Sequence, residues 1–265
     1  MTTRTAAPLR RARHRLRTRV SEHPALYLPF ARRKYPGPSP EVIGPETELV
    51  IDGYTRCATT YAVYALQSAQ PRPVRLAHHL HAPAQLIEAA RTGVPALVLI
   101  REPKGAILSQ LIREPDVALP DALLAYARFY TCLMPYRDRF VVADFTEVTG
   151  DFGAIVRRLN ARYGTSFAEF VATEAANREV FELVKQRPTL SPTLLGFESG
   201  TVTLAELRRA QRTTGPQTLH DAAEAWVPST DREHAKEALL EQWMRPGRAA
   251  ARERAERVYR EFRAG

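Results

Sequence analysis

Three stretches of this 265-residue chain concentrate side chains able to handle anions or protons. The first is Gly53-Tyr54-Thr55-Arg56-Cys57-Ala58-Thr59-Thr60, a turn that follows a short apolar run and ends in two hydroxyls. Backbone N–H groups at the start of a helix point outward and attract phosphate, so such a loop can cradle an anion. Thr59 and Thr60 would then add hydrogen bonds and Arg56 a charge. The second stretch pairs Arg101, in Arg101-Glu102-Pro103, with Ser109 further along. A guanidinium fork and a hydroxyl roughly two helical turns away can meet different oxygens of one phosphate. The third is Ala77-His78-His79-Leu80-His81, which holds three of the seven histidines. Imidazole titrates near operating pH and therefore suits a proton acceptor.

Each stretch also has a plainer reading. The loop could be a strand-to-helix turn capped by Thr59, and Arg101 a surface arginine beside a helix cap. Imidazoles are common zinc ligands, but on an extended strand residues 79 and 81 share one face and 78 the other. No cysteine or acid nearby in sequence completes a ligand set. No metal is expected, and His78 and His81 are expected to cap the next helix or pack in the core. A nucleoside triphosphatase could use Asp144 as its magnesium-associated acid. Against that, no lysine precedes the loop hydroxyls, and Ala58 stands where a second glycine would be.

The elements around these stretches alternate. Apolar runs predict strands at Glu48–Asp52, Val74–Ala77, Ala96–Ile100 and Phe140–Asp144. Helical patterns fall at Thr59–Ala69, Pro83–Thr92, Ala106–Ile112, Pro120–Tyr136 and Phe152–Tyr163. Strand and helix in alternation imply a mostly parallel sheet with helices on both faces, a three-layer α/β fold. All three stretches then lie at strand C-terminal ends, where open α/β sheets bind ligands. From about 164 on the chain reads as helical and loop-rich, and 249–263 as a last helix. The expected organisation is a basic, Pro-rich arm and lead-in over 1–47, then a single domain over 48–265.

In this order the motifs resemble the PAPS-dependent sulfotransferase family, whose donor is 3′-phosphoadenosine 5′-phosphosulfate. Arg56-Cys57-Ala58-Thr59-Thr60 is similar to the family's 5′-phosphosulfate loop, commonly Arg/Lys-Ser-Gly-Thr-Thr. Arg101 and Ser109 are similar to its 3′-phosphate pair. Ala77-His78-His79-Leu80 aligns with the family's Lys-Thr-His-Leu. The resemblance implies that His79 is the base, that Arg56 assists the leaving phosphate, and that no metal is required. It also implies that Arg56, Cys57, Ala58, Thr59, Thr60, Arg101 and Ser109 hold the donor. The acceptor would be a hydroxyl of a small molecule, glycan or lipid. Two departures stand out: Ala77 replaces the lysine, and Cys57-Ala58 replace Ser-Gly. A P-loop kinase-like phosphotransferase and a non-catalytic nucleotide-binding relative are the alternatives. Acceptor walls are expected near Pro83–Gln85, Phe129–Tyr136 and 186–230; Phe129, Tyr130 and Tyr136 could stack a ring, though helical spacing favours the core.

The formal charge of +9 is placed at one end. Residues 1–34 hold ten basic side chains and one acid, and the remaining residues balance. A search for polyanionic partners therefore attaches to the arm alone. Its favoured reading is a disordered solubilising tail; a helix against an anionic membrane surface comes second, and nucleic acid is not expected. No apolar run reaches the roughly 20 residues of a membrane helix, and no apolar core follows the first arginines. Cys57 and Cys132 form no metal or disulfide framework. A cytoplasmic protein is expected.

Overall fold

The computed structural model describes residues 6–35, 42–187, 191–214 and 230–265. Residues 36–41 of the lead-in, and 188–190 and 215–229 within the expected acceptor wall 186–230, fall outside the described residues. The fold is α/β: a four-stranded, all-parallel sheet with helices on both faces and a helical C-terminal region. The strands are β1 (Leu49–Gly53), β2 (Leu76–His78), β3 (Ala96–Ile100) and β4 (Val141–Asp144), in the order β2-β1-β3-β4. Every strand residue is buried, which is why these segments read as continuous apolar runs without alternation. β1 and β2 are shifted by one or two residues from the expected bounds. The expected strand–helix alternation is otherwise present.

Right-handed crossovers dictate the layers. Because β2 and β3 lie on opposite sides of β1, the connecting helices α3 (Thr59–Ala69) and α4 (Pro83–Thr92) cover opposite faces. α5 (Pro103–Arg113) and α6 (Leu119–Leu133) lead to a 3-10 turn at Met134–Arg139 and then β4. After β4 come α7 (Phe145–Gly150), a short helix the sequence pattern did not suggest, and α8 (Phe152–Tyr163). The remainder is helical: α9 (Glu174–Gln186), α10 (Pro192–Ser199), α11 (Leu204–Thr214), α12 (Thr230–Met244) and α13 (Ala249–Ala264). The terminal helix is tied to the body by Arg137 Nε donating to Phe262 O at 2.6 Å.

The N-terminal segment departs from expectation. Residues 6–35 are no disordered tail: they form α1 (Ala6–Val20) and α2 (Pro24–Lys34), packed on α6 and α4. Pro24 opens α2 where no N–H is needed, and Pro29 is accommodated inside it. Arg11 and Arg15, one turn apart on α1, donate to the two oxygens of Asp121 at 2.8 and 2.7 Å. Asp121 is only 2% exposed. Glu22 accepts two bonds from Arg128 at 2.6 Å each. The partners of these arginines lie on α6, more than a hundred positions away, so no local pattern could separate a docked helix from a solvated basic run.

Burial alone would raise the Asp121 carboxyl, yet the hydrogen bonds from Arg11 and Arg15 outweigh it and hold its pKa below the ordinary 3.8. A depressed carboxylate contributes stability above its unfolded pKa and loses it as pH falls through the folded one. The Arg11→Ala/Arg15→Ala double variant should therefore show a lower urea midpoint at neutral pH. The difference from wild type should shrink in titrations below pH 3.8. An unchanged midpoint at neutral pH would mean that α1 adds nothing to the fold.

Candidate active site

The loop after β1 is held in shape from below. Gly53 lies against β3 so closely that a Cβ would stand 2.2 Å from Leu99 O, so no other residue fits there. Tyr130, fully buried on α6, donates its hydroxyl to Leu99 O at 2.9 Å and accepts from Tyr54 N at 3.2 Å. This clamps the first residue of the loop to the neighbouring strand. Tyr54 sends its own hydroxyl to Gln110 Oε1. Cys57 is fully buried beneath the loop, near Tyr130, and burial pushes its thiol up to about 12. A buried, protonated thiol of this kind is a poor nucleophile.

Arg56 and Ala58 both adopt left-handed backbone conformations, with φ of 69° and 70°. Ala58 thus occupies a geometry that glycine adopts without a Cβ penalty, and the loop keeps its tight turn despite the substitution. Ala58→Gly is expected to stabilise the protein by about 1 kcal/mol, read as a higher melting temperature. A lower melting temperature would show that the Ala58 methyl contacts outweigh the strain. Thr59 opens α3 directly after Ala58. Its hydroxyl is buried and has no hydrogen-bond partner among the described residues. An unsatisfied hydroxyl at a helix N-terminus is a donor in search of an acceptor.

Arg101 and Ser109 come from β3's end and α5. Glu102 caps α5, accepting from Gly105 N at 2.7 Å. A Cβ on Gly105 would meet Glu102 Oε1 at 2.3 Å and Arg101 Nε at 2.9 Å, so the glycine makes room for the cap and the guanidinium together. Arg101 stacks over the Phe145 ring at 3.9 Å and donates to Arg56 O at 3.3 Å. Arg56 Nε in turn donates to Ser109 Oγ at 2.9 Å. The two stretches read separately in the sequence are therefore one connected cluster: Arg56, Arg101 and Ser109 touch one another through these bonds.

The histidines are arranged differently from the expected strand alternation. β2 ends at His78, and His79 and His81 have φ of 57° and 47°, so the period-two rule stops applying. His79 sits edge-on to both neighbours, with ring centroids 4.7 Å from His78 and 5.8 Å from His81. Donor and acceptor logic fixes the neutral tautomers. His78 Nε2 lies 3.1 Å from the Glu198 backbone carbonyl, which only accepts, so the His78 proton is there and Nδ1 carries a lone pair. His79 Nδ1, 2.6 Å from that lone pair, must donate. The lone pair of His79 is then on Nε2, 2.9 Å from Thr60 Oγ1, which donates to it. Burial of the ring, followed by the nearby His78, Arg187 and His81, holds the His79 pKa well below 6.5. At neutral pH the His79 ring is uncharged, with Nε2 against Thr60 at the start of α3.

His81 is fixed by β1: its backbone N–H donates to Asp52 Oδ2 at 3.0 Å and its Nδ1 to Gly53 O at 2.9 Å. It lines a cleft of about 90 Å³ together with Tyr54, Thr55, Phe129 and, from α1, His14 and Thr18. Phe129 is thus both core and cleft wall, Tyr130 is core and clamp, and Tyr136 packs at the edge of the core. Pro83 also lines the cleft.

Sequence reasoning missed Glu198 and Arg187. His78, His79 and Glu198 are the one group among the described residues whose metal-type donor atoms lie within 4.8 Å of one another. The Glu198 carboxylate, however, accepts from Tyr64 OH at 2.5 Å and forms an ion pair with Arg187 at 3.0 Å. With a guanidinium already paired to it, that carboxylate fits a hydrogen-bonded support better than a cation site. Asp144 is likewise engaged: Oδ1 caps α7 through Thr146, and Oδ2 accepts from Tyr259 OH at 2.6 Å. Nothing in the local sequence marks residues 187 and 198, which reach the histidines from the helical C-terminal region. Comparison with protein-family models, with curated proteins and with solved structures gives no match.

Proposed function

We propose that this protein is a sulfotransferase that moves a sulfuryl group from PAPS to the hydroxyl of a small-molecule, glycan or lipid acceptor. The observation that carries the reading is the contact between His79 Nε2 and Thr60 Oγ1 at 2.9 Å, which puts a neutral base against the helix N-terminus best suited to an anion. The donor fits the residues present: the buried, unpartnered Thr59 hydroxyl supplies a donor at the loop, and Arg56, Arg101 and Ser109 form a cationic, hydroxyl-bearing cluster beside it. When bound, PAPS supplies an activated sulfuryl group and a phosphate leaving group.

The chain's own residues would do the rest. His79 Nε2 accepts the proton of the acceptor hydroxyl as its oxygen bonds to sulfur and the bond from sulfur to the phosphate oxygen breaks. His78 keeps the accepting nitrogen of His79 directed at the loop by accepting a hydrogen bond from His79 Nδ1. The α3 N-terminus, Thr59, Thr60 and Arg56 stabilise the charge that grows on the departing phosphate. Arg101 and Ser109 hold the donor's second phosphate. The cleft bounded by His81, Tyr54 and Phe129 adjoins the loop and is the proposed acceptor site, where approach is oriented rather than random.

Engagement of both Asp144 oxygens by the fold weakens a magnesium-dependent phosphotransferase reading. Calorimetric titration with 3′-phosphoadenosine 5′-phosphate and with ATP plus magnesium separates the two. Saturable binding of the first and not the second is expected. Preference for ATP with magnesium would overturn the reading, and donor binding without transfer of labelled sulfate to an acceptor panel would favour a non-catalytic relative.

A further inference from the structure

We propose that α1 and α2 form a docking surface for an anionic lipid bilayer. The inference is independent of the sulfuryl-transfer reading and stands on exposure and charge. Seven large hydrophobic residues are exposed among the described residues, and four lie on these two helices: Leu9 at 73%, Leu16 at 64%, Leu26 at 63% and Phe30 at 64%. Such a concentration in one short stretch marks an interaction face.

Helical geometry groups them. With 3.6 residues per turn, Leu9, Arg13 and Leu16 share one side of α1. That side is opposite the one that carries Arg11 and Arg15 onto Asp121. On α2, Leu26, Phe30 and Arg33 share the outer side, while Tyr27, Leu28 and Ala31 are buried. The inner faces are thus accounted for by packing, and the outer faces interleave apolar side chains with arginines.

Charge complementarity selects the occupant. The whole formal excess of +9 resides in residues 1–34, and the rest of the chain balances. A bilayer with anionic headgroups satisfies both halves of the pattern: apolar side chains enter the headgroup–acyl boundary and arginines reach the phosphates. Arginine stems also lie along apolar surface while their heads stay at the polar level. A second copy of this face would bring like charges together. A nucleic acid would meet the arginines but leave the exposed leucines and Phe30 without a partner.

The test is flotation of the full chain with vesicles of phosphatidylcholine alone and of phosphatidylcholine mixed with phosphatidylglycerol. The chain should float with the mixed vesicles, bind the neutral ones far less, and be released by added salt. Leu16→Glu/Phe30→Glu and, separately, Arg13→Gln/Arg33→Gln should each weaken flotation by about tenfold or more. All four side chains point to solvent, so both variants should keep the wild-type melting temperature and circular dichroism. Equal flotation with both vesicle types would overturn the proposal, as would wild-type flotation of either double variant. Tight binding of duplex DNA that survives Leu16→Glu/Phe30→Glu, without vesicle binding, would assign the face to nucleic acid. Concentration-dependent self-association lost in the same variant would assign it to a second copy.

Discussion

His79→Gln is expected to lower the turnover of sulfuryl transfer by about 10²–10⁴, with nearly unchanged affinity for 3′-phosphoadenosine 5′-phosphate. In the proposed mechanism the base acts on the acceptor proton, whereas the donor is held by the loop and the arginine cluster, so the two effects should part. The pH profile gives a second reading. With His79 as the proposed neutral base, activity should be present above its folded pKa and fall as pH drops through it. Because burial of the ring, followed by the nearby His78, Arg187 and His81, holds that pKa well below 6.5, the acid limb should lie below the ordinary imidazole range. His78 is a positioning residue here. His78→Gln can still accept from His79 Nδ1 and donate to the Glu198 carbonyl, so it should retain more activity than His78→Phe, which can do neither. Parallel losses of donor binding and turnover in His79→Gln would sink the base assignment.

Arg101→Ala should weaken donor binding by about tenfold to a hundredfold, the range expected for one charge-assisted hydrogen bond of about 1.5–3 kcal/mol. Turnover at saturating donor should change far less. Arg101 is fixed by the Phe145 ring and by the Arg56 carbonyl, so its fork is preorganised, and Arg101→Lys should restore little because lysine lacks the planar, rigid fork and its ring stacking. Calorimetry with 3′-phosphoadenosine 5′-phosphate reads the first effect, and sulfate transfer at high donor reads the second. A variant that kept donor affinity and lost turnover would place Arg101 at the reacting end of the site instead.

The sheet was legible because ALVLI and its companions are short apolar runs of strand length that alternate with longer helical patterns. The loop was legible because its hydroxyls sit at a fixed offset from β1. Other features were hidden for identifiable reasons. The alternation rule for His78, His79 and His81 fails because β2 stops at His78 and the next residues turn left-handed. The link between Arg56 and Ser109 joins residues from two different crossovers, which no single window contains. The arginines of α1 looked like a tail because their buried counter-ion, Asp121, is on α6. Ala58 looked like a departure that would loosen the loop, yet the backbone holds it at a φ of 70°.

The carbonyl that orients His78 belongs to Glu198, 120 residues downstream. During synthesis, a nascent chain that has reached the end of α9 already contains all four strands, the loop, and both Arg56 and Arg101. It lacks the acceptor that selects the His78 tautomer. Contacts of such long sequence separation form late, after the local helices and the sheet. The cluster of Arg56, Arg101 and Ser109 is therefore encoded early in the chain, and the arrangement of the histidines is completed last.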